Sequence, residues 1–355
     1  MPNSANTDII QPDRIVQLTF AYMETKTMLS AAELGVFTQL GQGPATAAQL
    51  QQTLGLHPRP AADFLDSLVA LNLLTRDGDS YRNGPEADLY LVPGKRTYLG
   101  GYLQFISFHL WPVWSQLTQM LRTGEPQYVQ VHPEGIPEET NEDGDAFFDR
   151  MGTDLAEYRA FVETQDAFNT PIAVEVAKRF DWGSRRNLVD LGGARGNLSA
   201  LVAEAHPNLT ATVFDLPPLE PLFTEHIKSL GLADRIRFHA GDFLADPLPE
   251  GDVLLFGHVL HNWAPQQREM LIKKAYDAVA PGGVLLVYDL MIDDTRSAVR
   301  PLILSLHMML AVTGGSEYTA GECREWMTRA GFTGIETVTL DDLDHTTLLV
   351  AHKPD

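Results

Sequence analysis

Residues 187–215 read NLVDLGGARGNLSALVAEAHPNLTATVFD, and few folds accommodate that order of signals. A short apolar run, Leu188 and Val189, ends in Asp190, and a turn of small residues follows at Gly192, Gly193, Ala194 and Gly196. Leu198 to Ala205 then has helical spacing, and a second apolar run ends at Asp215. The pattern predicts strand, glycine turn, helix, strand, the βαβ unit of a parallel sheet. A turn without Cβ atoms lets a ligand approach the backbone, and the helix start offers unpaired N–H groups. An acidic residue closing the second strand, about 20 positions after the turn, suits the hydroxyls of a ribose. The stretch is built for a nucleoside.

Two nucleosides compete for it. A dinucleotide site wants G-x-G-x-x-G so that a pyrophosphate can enter, whereas this turn reads D-x-G-G-A-x-G with Asp190 in front. A carboxylate there would repel a pyrophosphate and attract the ammonium group of S-adenosylmethionine, so the sulfonium cofactor is favoured over NAD.

Composition limits the remaining classes. With 44% hydrophobic and 21% charged residues the chain reads as globular, and it has no apolar run near the ~18 residues that a membrane span needs. The first residues, MPNSANTDIIQPD, lack a basic segment followed by an apolar one, so no secretory signal is expected. A lone cysteine, Cys323, excludes an internal disulfide and fits a reducing cytoplasm. With no His or Asp beside it in sequence, it reads as a helix residue rather than a nucleophile. A net charge of −21 argues against a nucleic-acid partner and is compatible with a neutral or cationic small molecule.

Residues 12–95 have helical spacings at Val36, Phe37 and Leu40, at Leu50 and Leu54, and from Phe64 to Leu74, separated by the turn signals GQGPAT and GLHPRP. TRDGDSYRNG follows as a hairpin with Asp77 and Gly78 at its tip. Three short helices and a hairpin make a winged-helix arrangement. The helix that would read DNA, TAAQLQQTLGL, has no Arg or Lys, so dimerisation and covering the substrate are the better roles. An aromatic stretch from Tyr98 to Trp114 reads mostly as core or dimer interface, with one face available to line a ligand pocket, and His109 within it as a buried histidine. Residues 131–145 read as an exposed acidic loop. Helices are expected from Phe147 to about Phe161 and from Thr170 to Phe180. The expected domains are a helical winged-helix unit over 1–165 and a cofactor-binding catalytic domain over 166–355.

The second domain alternates apolar strands with helices: RIRFHAGDF, DVLLFGHVLHNW and GGVLLVYDLMIDD follow the βαβ unit. Continuous apolar runs are the mark of buried parallel strands, and a doubly wound α/β sheet binds ligands at their carboxyl ends. Those ends carry Asp190, Asp215, Asp242, His258 with His261, and Asp289.

VDLGGARG, FDLP, GDF, HVLHNW, APGG and GGSEYT, in this order, resemble the small-molecule O-methyltransferases that use S-adenosylmethionine, the family of caffeate and acetylserotonin methyltransferases and many bacterial natural-product enzymes. The resemblance covers essentially the whole chain. It implies a Rossmann-like catalytic domain behind a dimerisation domain, hence a homodimer. It also implies that Gly192, Gly193 and Gly196 pass close to the cofactor, that Asp215 and Leu216 hold its ribose and adenine side, and that Asp242 and Phe243 frame the adenine. His258 joins the cofactor-binding set. His261 takes the place of the catalytic base, with Asp289 and Glu317 as the carboxylates that orient it. A base near pKa 6.5 can accept a hydroxyl proton at neutral pH.

The sequence departs from the family at three positions. Asn262 replaces the Asp that usually follows the base, Gly257 stands where a basic residue is common, and His307 stands where many members carry Asn or Asp. His307 facing His261 would complete a candidate two-histidine site for a divalent or ferric ion, Zn or Fe; equally, His307 would only hydrogen-bond the substrate or pack in its helix with Leu306, Met308 and Met309. That site would chelate a 2-oxo acid and stabilise its enolate, so that the β-carbon attacks the methyl group. The His307 and Asn262 departures tip the reading to this C-methylation. The alternative is O-methylation of a phenolic or similar hydroxyl with His261 as base. A non-catalytic S-adenosylmethionine-binding protein is the remote reading, disfavoured by the retained base and carboxylates.

Overall fold

The computed structural model describes residues 11–95, 97–132, 148, 152–342 and 345–355. They form two compact units, Met1–Phe108 and His109–Asp355. The boundary expected from sequence, after residue 165, falls inside one continuous helix.

The first unit runs α1 (Asp13–Glu33), α2 (Val36–Leu40), β1 (Ala45–Thr46), α3 (Ala47–Leu54), α4 (Pro58–Ala70), β2 (Leu74–Asp77), β3 (Ser80–Asn83), α5 (Pro85–Tyr90) and α6 (Gly100–Phe105). Thr46 caps α3 reciprocally with Gln49, which satisfies two N–H groups that the first turn leaves open. Val36, Phe37, Leu40, Leu50, Leu65, Leu68 and Leu74 close the core. The hairpin β2–β3 pairs antiparallel, with β1 on the far side of β3. Asp66 on α4 clamps the hairpin by accepting from Arg76 and Tyr81, each at 2.7 Å. Helices α2, α3 and α4 followed by the hairpin give the expected order of three helices and a hairpin, with the long α1 in front of them not expected from sequence. Along α1, by contrast, Ile15, Leu18, Phe20 and Tyr22 remain exposed.

The second unit begins with α7 (Trp111–Trp114), α8 (Leu117–Thr123), α9 (Tyr128–Val131) and α10 (Leu155–Arg179). It continues as β4 (Asn187–Leu191), α11 (Asn197–Ala205), β5 (Thr210–Asp215), α12 (Glu220–Ser229), β6 (Ile236–Ala240), β7 (Gly251–Gly257), α13 (Pro265–Ala278) and β8 (Val279–Asp289). The last elements are α14 (Val299–Ala311), α15 (Ala320–Ala330), β9 (Thr333–Thr339) and β10 (Thr347–His352). The sheet order is β6-β5-β4-β7-β8-β10-β9. The first five strands are parallel, and β10 runs antiparallel between β8 and β9. The chain builds outward from β4 to β6 and then returns to place β7 on the other side of β4. This reversal opens a crevice at the carboxyl ends of β4 and β7, where doubly wound sheets bind ligands.

One expectation changes. Pro171 does not begin a helix but lies inside α10. Buried residues on both sides, Tyr158 and Val162 before it and Ile172, Ala173 and Val176 after it, anchor one long helix despite the missing N–H. The expected helix start at Phe147 and the acidic segment 133–145 lie outside the described residues. Cys323 is buried in α15, and burial raises its thiol pKa, as the helix-residue reading requires.

Candidate active site

The glycine turn is a backbone cradle over two buried carboxylates. Gly192 and Gly196 hold φ of 75° and 81°, where a Cβ is strained. A Cβ on Gly193 would sit 2.6 Å from the Asp190 carboxyl carbon. Asp190 accepts from Ser199 Oγ at 2.8 Å. Asp215 accepts from the N–H groups of Ala194 and Leu216, each at 2.7 Å. Burial drives the Asp190 pKa up to about 7, against the Ser199 hydrogen bond and with the Asp215 charge adding to the rise. Burial likewise lifts Asp215 to about 6, against its two backbone donors. Among the described residues neither carboxylate has a cationic partner. A cationic ligand would therefore be stabilised over this pair.

The Gly241 N–H donates to Asp215 O at 3.0 Å, so Asp242 and Phe243 join the same edge. Phe243 packs edge-on against Phe256 and Trp263. Gly192, Gly193, Gly196, Asp190, Asp215, Leu216, Asp242 and Phe243 thus line one continuous edge. His258 precedes Val259, whose side chain packs against Gly192. It holds a left-handed φ of 53° directly after β7, and its Nδ1 lies 3.6 Å from Asp289 Oδ1. Its ring stacks on His261 with centroids 5.5 Å apart.

His261 sits in a short helical turn after β7, Leu260–Asn262. Its Nδ1 is 2.6 Å from Glu317 Oε1 and 3.6 Å from Asp289 Oδ1. Burial pulls its pKa down, but the charges of Glu317 and Asp289 and the Glu317 hydrogen bond outweigh burial and raise it to about 9. The expected base is therefore stronger than a free imidazole, and its unprotonated fraction grows as pH rises towards about 9. Nδ1–H pointing at Glu317 leaves Nε2 as the base atom. Among the described residues, Asp289 Oδ1 and Glu317 Oε2 are buried without a hydrogen-bond partner, while Tyr318 OH donates to Asp289 Oδ2.

The two-histidine metal site is corrected. His307 Nδ1 accepts the indole N–H of Trp114 at 3.2 Å. A neutral ring accepting at Nδ1 carries its proton on Nε2 and has no lone pair left for a metal. Among the described residues, the side chains whose ligand atoms lie within 4.8 Å of one another are His258, His261 and Asp289, without His307. The Nδ1 of His261 is already engaged by Glu317.

The other departures have local causes. A Cβ on Gly257 would meet the Tyr288 hydroxyl at 2.3 Å, so Tyr288 occupies the space that a larger residue needs. Asn262 donates through Nδ2 to the carbonyls of His258 and Val259, at 3.3 and 3.1 Å, which an aspartate cannot do. Sequence reasoning missed Arg268, Ser199, Trp114 and Tyr318. Arg268 is buried on α13. It donates to Leu260 O, Ser316 O and Ser316 Oγ, the neighbours of His261 and Glu317. Its guanidinium lies over the Tyr318 ring, 5.0 Å from the centroid. Nothing in a helical sequence separates such an arginine from a solvated one.

A family model for the O-methyltransferase domain matches residues 114–333, and one for the O-methyltransferase dimerisation domain matches 16–93. The chain belongs to the O-methyltransferase family. As a member it is a methyltransferase, with its dimerisation domain in the first unit. It is 45% identical to the tetracenomycin polyketide synthesis 8-O-methyl transferase TcmO of Streptomyces glaucescens, over 98% of this chain and 99% of that protein. It is 41% identical to the N,N-dimethyltransferase OxyT of Streptomyces rimosus, over 98% of each. Among solved structures it is similar to human N-acetylserotonin methyltransferase in complex with SAM, with a TM-score of 0.87, 26% identity, and coverage of 99% of this chain and 100% of that one.

Proposed function

We propose that the protein transfers a methyl group from S-adenosylmethionine to a phenolic hydroxyl of a small aromatic acceptor, with His261 as general base. The observation that carries this reading is the buried His261–Glu317–Asp289 group, whose geometry fixes Nδ1–H on a carboxylate and leaves Nε2 to take a proton. Asp190 and Asp215 suit the cationic cofactor, whose ammonium and ribose would neutralise or satisfy two carboxylates that burial otherwise penalises. Gly192, Gly193 and Gly196 admit it, Leu216, Asp242 and Phe243 frame its adenine side, and His258 supports the base through Asp289. The cofactor supplies a sulfonium methyl group activated for in-line transfer. His261 takes the hydroxyl proton, Glu317 and Asp289 stabilise the resulting imidazolium, and the chain holds the oxygen in line.

The relatives support the O-methylation reading over the C-methylation of a 2-oxo acid, since TcmO is named for 8-O-methyl transfer in polyketide synthesis. The name of OxyT raises N-methylation as a second reading. A neutral amine needs no base to attack a sulfonium, whereas a phenol does, so a base this strongly supported favours oxygen. Replacing His261 by Ala is expected to lower kcat by about 10²- to 10⁴-fold with cofactor affinity retained. An H261A variant at wild-type rate would remove the general-base assignment. We further infer a homodimer built through the dimerisation domain, in the cytoplasm.

A further inference from the structure

Trp114, at the end of α7, and His307, on α14, are joined within the second unit by one hydrogen bond, 3.2 Å from indole Nε1 to imidazole Nδ1. Their ring planes are 8° apart. An indole nitrogen can only donate, so His307 Nδ1 presents a lone pair. Burial, with the charge of His261 adding, depresses the His307 pKa to about 4, and the ring is neutral at physiological pH. The single ring proton is therefore on Nε2. Among the described residues no side chain or carbonyl accepts from that N–H. A donor fixed by Trp114 thus lies near enough to His261 to feel its charge.

We propose that His307, locked in this tautomer by Trp114, selects the acceptor, its Nε2–H recognising a carbonyl oxygen next to the hydroxyl that is methylated. The favoured substrate class is then hydroxy-carbonyl aromatics, in which the ketone lies ortho or peri to the phenol. Such a phenol spends its proton on an internal hydrogen bond to the ketone. A donor from His307 to the carbonyl replaces that bond and frees the O–H for His261. The O–H bond then breaks with its proton passing to His261, the oxygen forms its bond to the methyl carbon, and the S–C bond breaks. An aspartate or a metal at position 307 would supply no such donor.

The inference rests on the O-methylation reading, and its test is chosen to fail separately. Binding of two bicyclic phenols is measured by calorimetry in the presence of S-adenosylhomocysteine, one a tetralone with its ketone peri to the hydroxyl, the other the tetrahydronaphthol without the ketone. Wild type is expected to bind the ketone about 3- to 10-fold more tightly, the worth of one neutral hydrogen bond. His307→Phe, which keeps a ring but no donor, should bring the ratio close to one. Trp114→Phe, which frees the tautomer, should reduce it. NMR of labelled histidine should place the His307 proton on Nε2 in wild type and show a tautomer mixture in W114F. No ketone preference in wild type, an unchanged ratio in H307F, or a proton on Nδ1 would each overturn the proposal. Selective binding without methyl transfer to oxygen would leave the proposal standing and remove the O-methylation reading.

Discussion

Glu317 decides what kind of base His261 is. Its charge and its 2.6 Å hydrogen bond, with Asp289, overcome the effect of burial and raise the imidazole pKa to about 9. The deprotonated base is the active form, so kcat/KM should rise with pH up to about 9 and level off above it. Glu317→Gln removes the nearest charge, and its pH–rate profile should level off at lower pH with a reduced plateau, because the imidazolium formed in the reaction loses its counter-charge. The same coupling acts on stability. A histidine whose folded pKa exceeds its unfolded value stabilises the chain fully below about pH 6.5, and that contribution is lost as pH rises through about 9. An E317Q profile superimposable on wild type would remove Glu317 from this role. His261, Asp289 and Glu317 were legible as types in motifs, but their mutual shift was not, because it depends on Asp289 and Glu317 arriving at one buried nitrogen from β8 and from the segment after α14.

At the scale of elements, the βαβ unit was legible because its signals are local: two apolar runs, a turn that only small residues fit, and a helix of continuous spacing. The long α10 was misread at Pro171 because proline is a local signal, while the burial that overrides it comes from tertiary packing. The antiparallel insertion of β10 between β8 and β9 carries no local mark either, since its apolar run looks like any buried strand. Helix α1 makes its own prediction. Its exposed Ile15, Leu18, Phe20 and Tyr22 have no apolar cover, as expected of a helix that packs against a second chain. Replacing Leu18 and Phe20 by Asp should convert a dimer to a monomer in light scattering at micromolar concentration. A variant that stays dimeric would place the interface elsewhere.

For the whole molecule, a net charge of −21 does not identify which carboxylates face a ligand. Two buried ones stand out, Asp190 at about 7 and Asp215 at about 6, each raised by desolvation and, among the described residues, without a cationic partner. A raised carboxylate is protonated at low pH, and only its ionised form attracts an ammonium or sulfonium. S-adenosylmethionine should therefore bind about ten-fold more tightly at pH 8 than at pH 6, with proton release below pH 7. An affinity independent of pH over that range, measured by calorimetry in buffers of different ionisation enthalpy, would show that these carboxylates do not face the cofactor. The departures at Gly257, Asn262 and His307 look alike in sequence. In the structure one yields space to Tyr288, one ties a turn, and one accepts the indole N–H of Trp114.

The most direct test of the central claim is the position of the transferred methyl group. The full-length protein is incubated with methyl-labelled S-adenosylmethionine and a phenolic aromatic acceptor, with and without a strong chelator, and the product is read by NMR and mass spectrometry. Methylation of the phenolic oxygen, unaffected by chelator and abolished by His261→Ala, is the expected result. A methyl group on carbon, or transfer that stops when metal is removed, would contradict it.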